Sequence, residues 1–351
     1  MKADYNVKRI NKRLTTHFIC HIACLPLFLF CLCLQAQEGE RFVSDPNAKK
    51  YALILVGASY DDKYDKQFKT WAIDLRKSLI KEYGYQSKRI TVLLGNESKR
   101  NIGSDGKANA NTIKKSFEDL AKTIKTNDQL MLVMFGHGSG EGDSSKYQIV
   151  GPDLTALDFR AMMAEIKTQN IVVVNTTSAS HGFTKSLASP GRVLLSATRS
   201  RAEIYDTLFP HYFVEGLEKK KADRDKNDRV SVLESFLYAN NKVAEYYKKN
   251  DILPSEHATL EDNDDAVFSV DPLHQNDGRI AEIAYIDVDA LSNNQLSPKV
   301  AVLKSKMDKL ERDIFLLRGQ KKQFDSEEYW QKLEPLLIEL ATTTRDYHAE
   351  K

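Results

Sequence analysis

Between residues 50 and 271 the chain alternates unbroken apolar runs with stretches in which apolar residues recur every three or four positions. Tyr51-Ala-Leu-Ile-Leu-Val-Gly57 has no polar interruption, which suits a strand buried on both faces. Phe68, Trp71, Ala72, Leu75 and Leu79 then fall on one helical stripe, and residues 90–94 form a second apolar run closed by Gly95. Ile113, Phe117, Leu120, Ala121 and Ile124 mark a second helix, and further strands are predicted at 130–135, 171–174 and 192–196. This alternation predicts an α/β fold, a mostly parallel sheet flanked by helices.

The rhythm changes after residue 271. Residues 281–286 read as a strand, and Ser297-Pro298 opens a helical region. Leu303, Met307, Leu310, Ile314 and Leu317 keep a heptad-like spacing, a turn is predicted over 319–326, and Trp330, Leu333, Leu337 and Leu340 resume the spacing. An antiparallel helical hairpin over 297–351 follows, packed on itself or on the sheet domain. Its alternative role is a docking arm for a partner or a second copy of the chain. Residues 272–296 connect the two parts.

At the N-terminus, Lys8, Arg9, Lys12 and Arg13 precede an apolar run over residues 18–34, and Ala36 offers a small residue for cleavage. Residues 1–36 therefore read as an export signal, followed by a linker over 37–49. A retained membrane anchor is the alternative, although His21 and Pro26 interrupt a run already short for a span. All four cysteines, Cys20, Cys24, Cys31 and Cys33, lie inside this segment, so the mature chain would contain none. Loss of the segment turns the formal charge from +2 to about −2, and nothing in the charge pattern suggests nucleic acid. A chain of this length buries a core large enough to stand without disulfides.

Chemistry is expected at the carboxyl edge of an open α/β sheet. There the third strand runs into Gly136-His137-Gly138-Ser139-Gly140, and the fourth into Asn175-Thr-Thr-Ser178-Ala-Ser180-His-Gly182-Phe183. His137, set between two residues without side chains, suits a general acid or base. The order of strand, His-Gly loop, helix, strand and small-residue loop resembles the legumain-like and caspase-like cysteine peptidases. In that family one strand ends in His-Gly and the next in Ala-Cys-x-Ser-Gly or a close variant. Aligning Gly182-Phe183 with the Gly-Phe that closes the bacterial motif puts Ser178 at the nucleophile position, with Thr177 in the small-residue place. A shift of two would offer Ser180 instead. Residues 196–205 resemble the next family strand and its pocket loop, and Leu260-Glu-Asp-Asn-Asp264 resembles the acidic close of the bacterial domains. The resemblance covers residues 50–271 and implies a caspase-like peptidase domain, with His137 and Ser178 as its catalytic positions and the Gly138 N–H as an oxyanion donor.

Serine in place of cysteine changes the chemistry. A free thiol titrates near ~8.5 and supplies thiolate unaided. A hydroxyl needs a base within roughly 2.6 to 3.2 Å, usually oriented by a third group. Asp143 is near in sequence but reads as a turn residue, and His181 lies three positions from Ser178 on a tight loop. The reading therefore favours lost cysteine-peptidase activity and a retained cleft that binds a peptide or protein. The alternative is an active endopeptidase using Ser178 with His137 as base. Glu203 in a specificity pocket would favour a basic side chain, and Arg199 or Arg201 an acidic one.

A second constellation, residues 223–234, has the spacing of an EF-hand-like loop. Asp223, Asp225, Asn227 and Ser231 supply side-chain oxygens at positions one, three, five and nine, Arg229 a carbonyl at seven, and Glu234 a carboxylate at twelve. Asp228 stands where such loops carry glycine, and aspartate visits the left-handed conformation more readily than most residues. Calcium would hold the loop in shape, and no cofactor is required for the chemistry. The plainer alternative is a solvated turn in which Asp228 or Ser231 caps the following helix.

Overall fold

The computed structural model describes residues 41–43, 45, 47–95, 103–288 and 296–350. The expected export signal and the four cysteines lie outside them. Among the described residues, no helix is long and apolar enough to cross a membrane.

Among the described residues ten strands form two sheets: β1 Lys50–Val56, β2 Ile90–Leu94, β3 Gly106–Lys107, β4 Gln129–Phe135, β5 Gly138–Ser139, β6 Lys146–Tyr147, β7 Leu154–Thr155, β8 Asn170–Asn175, β9 Arg192–Ser196 and β10 Thr259–Glu261. The large sheet has the order β10-β9-β8-β4-β1-β2-β3. All its neighbours pair in parallel except β9 and β10. The α/β expectation and its strands are thus observed. The two- and three-residue strands β3, β5, β6, β7 and β10 are new, being too short to leave a periodic signal.

Alternation along β1 feeds two cores. Ala52, Ile54 and Val56 enter one face with Phe68, Trp71 and Leu75, while Tyr51, Leu53 and Leu55 enter the other with Ile113, Phe117 and Phe159. The first face is covered by α1 (Asp62–Lys81), the second by α2 (Ala110–Thr123), α3 (Ala156–Ala164) and the short α4 (Ser180–Lys185). Helices α5 (Phe209–Leu217), α6 (Val232–Lys249) and α7 (Arg279–Ile283) complete the first layer.

Helix α7 corrects the strand expected over 281–286. A short apolar run carries both periods, and the choice falls to its ends. The Asp262 carboxylate accepts from the N–H groups of Gly278 (3.0 Å) and Ala281 (2.7 Å), satisfying a helix start.

The hairpin is present as α8 (Pro298–Gly319) and α9 (Ser326–Glu350), with Ser297 capping α8. The stripe on α9 differs from expectation. Tyr329 and Leu333 are buried, whereas Trp330 and Leu337 are exposed. Leu333 and Leu340 belong to both registers, and packing beside Leu317 and Phe324 selects the one starting at Tyr329. The hairpin packs on itself and is also fastened to the sheet domain. Arg318 pairs with Glu282 (2.6 Å), and Asn227 Nδ2 donates to Glu311 (3.0 Å).

Helix α5 has no local side-chain cap. Instead the buried Glu256 accepts from the N–H groups of Leu208 (2.7 Å) and Phe209 (3.1 Å), which also fixes the approach of Thr207 to the sheet edge. Burial pushes the Glu256 carboxyl up to about 7 against the pull of these hydrogen bonds. A folded value above the unfolded one gives stability that is fully present below about pH 4 and lost as pH rises through 7. Relative to Glu256→Gln, the wild type should therefore lose roughly 3 kcal/mol of unfolding free energy between pH 4 and 8. Denaturant titrations of both proteins across that range check this, and a pH-independent difference between them refutes it.

Candidate functional site

Strand β1 is the switch point of the large sheet, since its parallel neighbours β2 and β4 lie on opposite sides. Ligands in open α/β sheets bind outside the strand carboxyl ends at such a point. His137 lies two residues past the end of β4, α1 follows β1, and Ser178 lies in the short loop between β8 and α4. These meet in a notch of about 20 Å³, room for about one water, lined by Tyr64, Phe68, Trp71, His137, Ser178 and Thr207 among others.

Two glycines shape the loop around His137. Gly136 has φ +138°, and a Cβ there would stand 3.1 Å from the Gly57 backbone. At Gly138 a Cβ would lie 2.7 Å from both the Ser178 carbonyl oxygen and Thr177 Oγ1. Only glycine lets the His137 loop rest against the Ser178 loop. Gly138→Ala should cost about 1–3 kcal/mol, read as a lower denaturation midpoint, because backbone opposes the added methyl. An unchanged midpoint would show that the two loops part freely.

The His137 ring stands edge-on to Phe68 (centroids 5.3 Å apart) and Tyr64 (5.6 Å). Among the described residues no hydrogen bond joins it to Ser178 or to an acidic residue. Ser178 is buried, and its Oγ lies 3.5 Å from both the N and the O of Gly138, at the limit of a hydrogen bond. The Gly138 N–H thus faces Ser178 Oγ, where the sequence placed an oxyanion donor. The next residue, Ala179, has φ +50°, a left-handed conformation that costs a residue with a side chain of order 1 kcal/mol or more. It sits on the sharp turn from β8 into α4, with its N–H donating to the Glu203 carbonyl (3.0 Å).

Ser180 is placed differently. It is fully buried, with its Oγ 2.8 Å from Ser196 Oγ and 3.1 Å from Thr198 Oγ1. These contacts bind α4 to the end of β9. Of the two serines, only Ser178 lines the notch with His137. His181 packs its ring on Phe268, and burial, assisted by Lys185, pulls its imidazole below the usual range. Asp143 forms a two-pronged pair with Arg160 (2.9 and 2.7 Å). Glu203 is committed to its own loop and to His257, accepting from Arg199 N (2.9 Å) and His257 N (3.1 Å) and contacting His257 Nδ1 (2.7 Å). Arg199 and Arg201 are exposed.

Sequence reasoning missed the far wall of the notch. Tyr64 on α1 donates to Asp206, and Thr207 Oγ1 donates to the Thr176 carbonyl (2.8 Å). Nothing in residues 206–207 marks them, because only the tertiary fold brings that loop to the sheet edge. Tyr60, Ile204 and Tyr205, on the segments framing the notch, are exposed apolar side chains.

In the loop over 223–234, one carboxylate oxygen each from Asp223, Asp225 and Glu234 lies within 4.8 Å of the others. Asp228 has φ +65°, the left-handed conformation expected at position six. Asp223 is buried, and its Oδ1 has no hydrogen-bond partner. Burial and the neighbouring Glu234 push Asp225 up to about 7. The remaining positions are turned to other work. Asn227 Oδ1 accepts from Arg229 N (2.8 Å), and Ser231 joins Glu234 in a capping box at the start of α6. The Arg229 side chain leaves the loop to pair with Asp287 (3.0 Å) and Asp308 (3.2 Å), over the Tyr285 ring at 3.8 Å.

No protein-family model matches the chain, and no curated protein matches it. Among solved structures it is similar to the crystal structure of protein GSU0716 from Geobacter sulfurreducens, with a TM-score of 0.41 and 12% identity over 61% of this chain and 92% of that one.

Proposed function

We propose that this chain is an exported, non-catalytic homologue of the legumain-like and caspase-like peptidases that binds a peptide or protein segment at the His137–Ser178 notch. The observation that carries the reading is the combination at Ser178. The residue precedes the strained Ala179 on the strand-to-helix turn and has a glycine-lined approach to His137, yet among the described residues its hydroxyl has neither a bonded base nor an orienting acid. A hydroxyl without those partners is a weak nucleophile. Exposed Tyr60, Ile204 and Tyr205 supply apolar surface for an extended ligand. The three carboxylates of the 223–234 loop, with the orphaned Asp223 oxygen, support calcium as a structural ion there.

The test presents one mixed peptide library to the chain and reads both retention and cleavage, with and without calcium. Retention without cleavage is the expected result. Cleavage that disappears in both Ser178→Ala and His137→Ala would instead establish a serine peptidase.

A further inference from the structure

The loop after β10 gathers a second set of carboxylates, separate from those of the 223–234 loop. Glu261 ends β10, Asp265 lies on the loop, and Asp277 precedes α7. One oxygen from each lies within 4.8 Å of the other two. Among the described residues none of the three has an ion-pair partner. Proximity of acids is common and says little by itself. Glu261 adds a separate observation: its side chain belongs to a residue with 0% exposure, and its Oε2 has no hydrogen-bond partner.

We propose that Glu261, Asp265 and Asp277 form a calcium site that staples the β10–α7 connection. A buried, unpaired carboxylate facing two others carries a large desolvation and repulsion cost, which a divalent cation removes. Calcium binds oxygens at roughly 2.3 to 2.6 Å, so two ligands of one ion stand no more than about 5 Å apart. The three carboxylates meet that bound, since one oxygen of each lies within 4.8 Å of the others. The donors are hard oxygens only, which disfavours thiophilic metals. Magnesium keeps most of its waters and uses one or two carboxylates, whereas calcium accepts three and completes its shell with carbonyls and water.

The neighbouring hydrogen bonds hold the set in place and leave Glu261 Oε2 unengaged. Glu261 Oε1 accepts from Asp264 N, Asp265 Oδ1 from Val267 N (2.7 Å), and Asp277 from Ser269 Oγ and from Asp262 N (3.3 Å). Asp262, adjacent in sequence, is spent on the start of α7. The ion would thus tie the antiparallel edge of the sheet to the helix that follows it.

Equilibrium dialysis of the whole chain with radioactive calcium tests the assignment in an Asp225→Asn background, which disables the 223–234 loop. One ion per chain is expected there, with binding at least tenfold weaker once Asp265→Asn is added and the calcium-dependent rise in melting temperature lost with it. Asp265 is exposed, so its replacement leaves the fold intact, and a melt in EDTA checks that. Asp277→Asn serves as the second variant. Absence of binding in Asp225→Asn, binding unchanged by Asp265→Asn and Asp277→Asn, or equal occupancy by magnesium at the same concentration would each overturn the proposal.

Discussion

Replacing Ser178 with cysteine should yield a peptidase activity that depends on His137. The two side chains differ by one atom, so the β8–α4 turn and the Gly138 contact that define the position carry over. What changes is the nucleophile. Near neutrality a thiol already holds a small thiolate fraction, and it does not need the tight base contact that the Ser178 hydroxyl lacks. Cleavage of a mixed peptide library, followed by mass spectrometry, should rise at least a hundredfold above the wild-type background. Adding His137→Ala should then lower it by about 10² to 10⁴, the usual contribution of a positioned acid or base. A silent Ser178→Cys protein that still folds would mean the cleft no longer presents a substrate to this position.

The largest expected loss of stability is at Arg229. Its guanidinium lies between Asp287 and Asp308, with side-chain exposures of 8%, 10% and 10% in that order. Burial alone would raise the Asp287 carboxyl, yet Arg229 holds it below the usual carboxylate range. Without Arg229, Asp308 keeps its ion pair to Lys304 (2.6 Å), but the Asp287 carboxylate loses the guanidinium that pairs with it, and breaking such a buried pair costs about 3–5 kcal/mol. Arg229→Ala should lower the melting temperature by roughly 10 °C in a chain of this size. Arg229→Lys should fall between, because an ammonium restores the charge but neither the fork to two carboxylates nor the stacking on Tyr285. A loss below 1 kcal/mol for the alanine variant would show that Lys304 and entering water together compensate the two aspartates.

The central sheet was readable from sequence because strands buried on both faces leave long apolar runs, as in β1 and β4. Helix α1 was readable because its stripe from Phe68 to Leu79 faces a single core. Where one residue set fits two periods, the deciding force lay elsewhere in the chain. Asp262 made a helix of the run beginning at Arg279, and Leu317 with Phe324 chose the register of α9. The meeting of His137 and Ser178 in one notch was legible, because their flanking glycines and small residues mark a crowded loop. The site was illegible at Tyr64, Asp206 and Glu256, which act through partners far along the chain. The spacing of the 223–234 loop correctly placed three carboxylates together and left-handed backbone at Asp228, but it could not reveal that Asn227 and Ser231 are engaged within the loop.

The borders of the large sheet bear on how copies of the chain behave when concentrated. A long unpaired strand at a sheet border is a template for pairing with another molecule. Here one border is the three-residue β10, whose Leu260 is also bridged to Ser269 in both directions. At the other, β3 covers only Leu93 and Leu94 of β2, and Asp105 takes up both the N–H and the carbonyl of Val92 while carrying an ion pair to Arg76. The long apolar strands are confined to the interior of the sheet. Strand-to-strand aggregation of the folded chain is thereby discouraged at both rims of the large sheet.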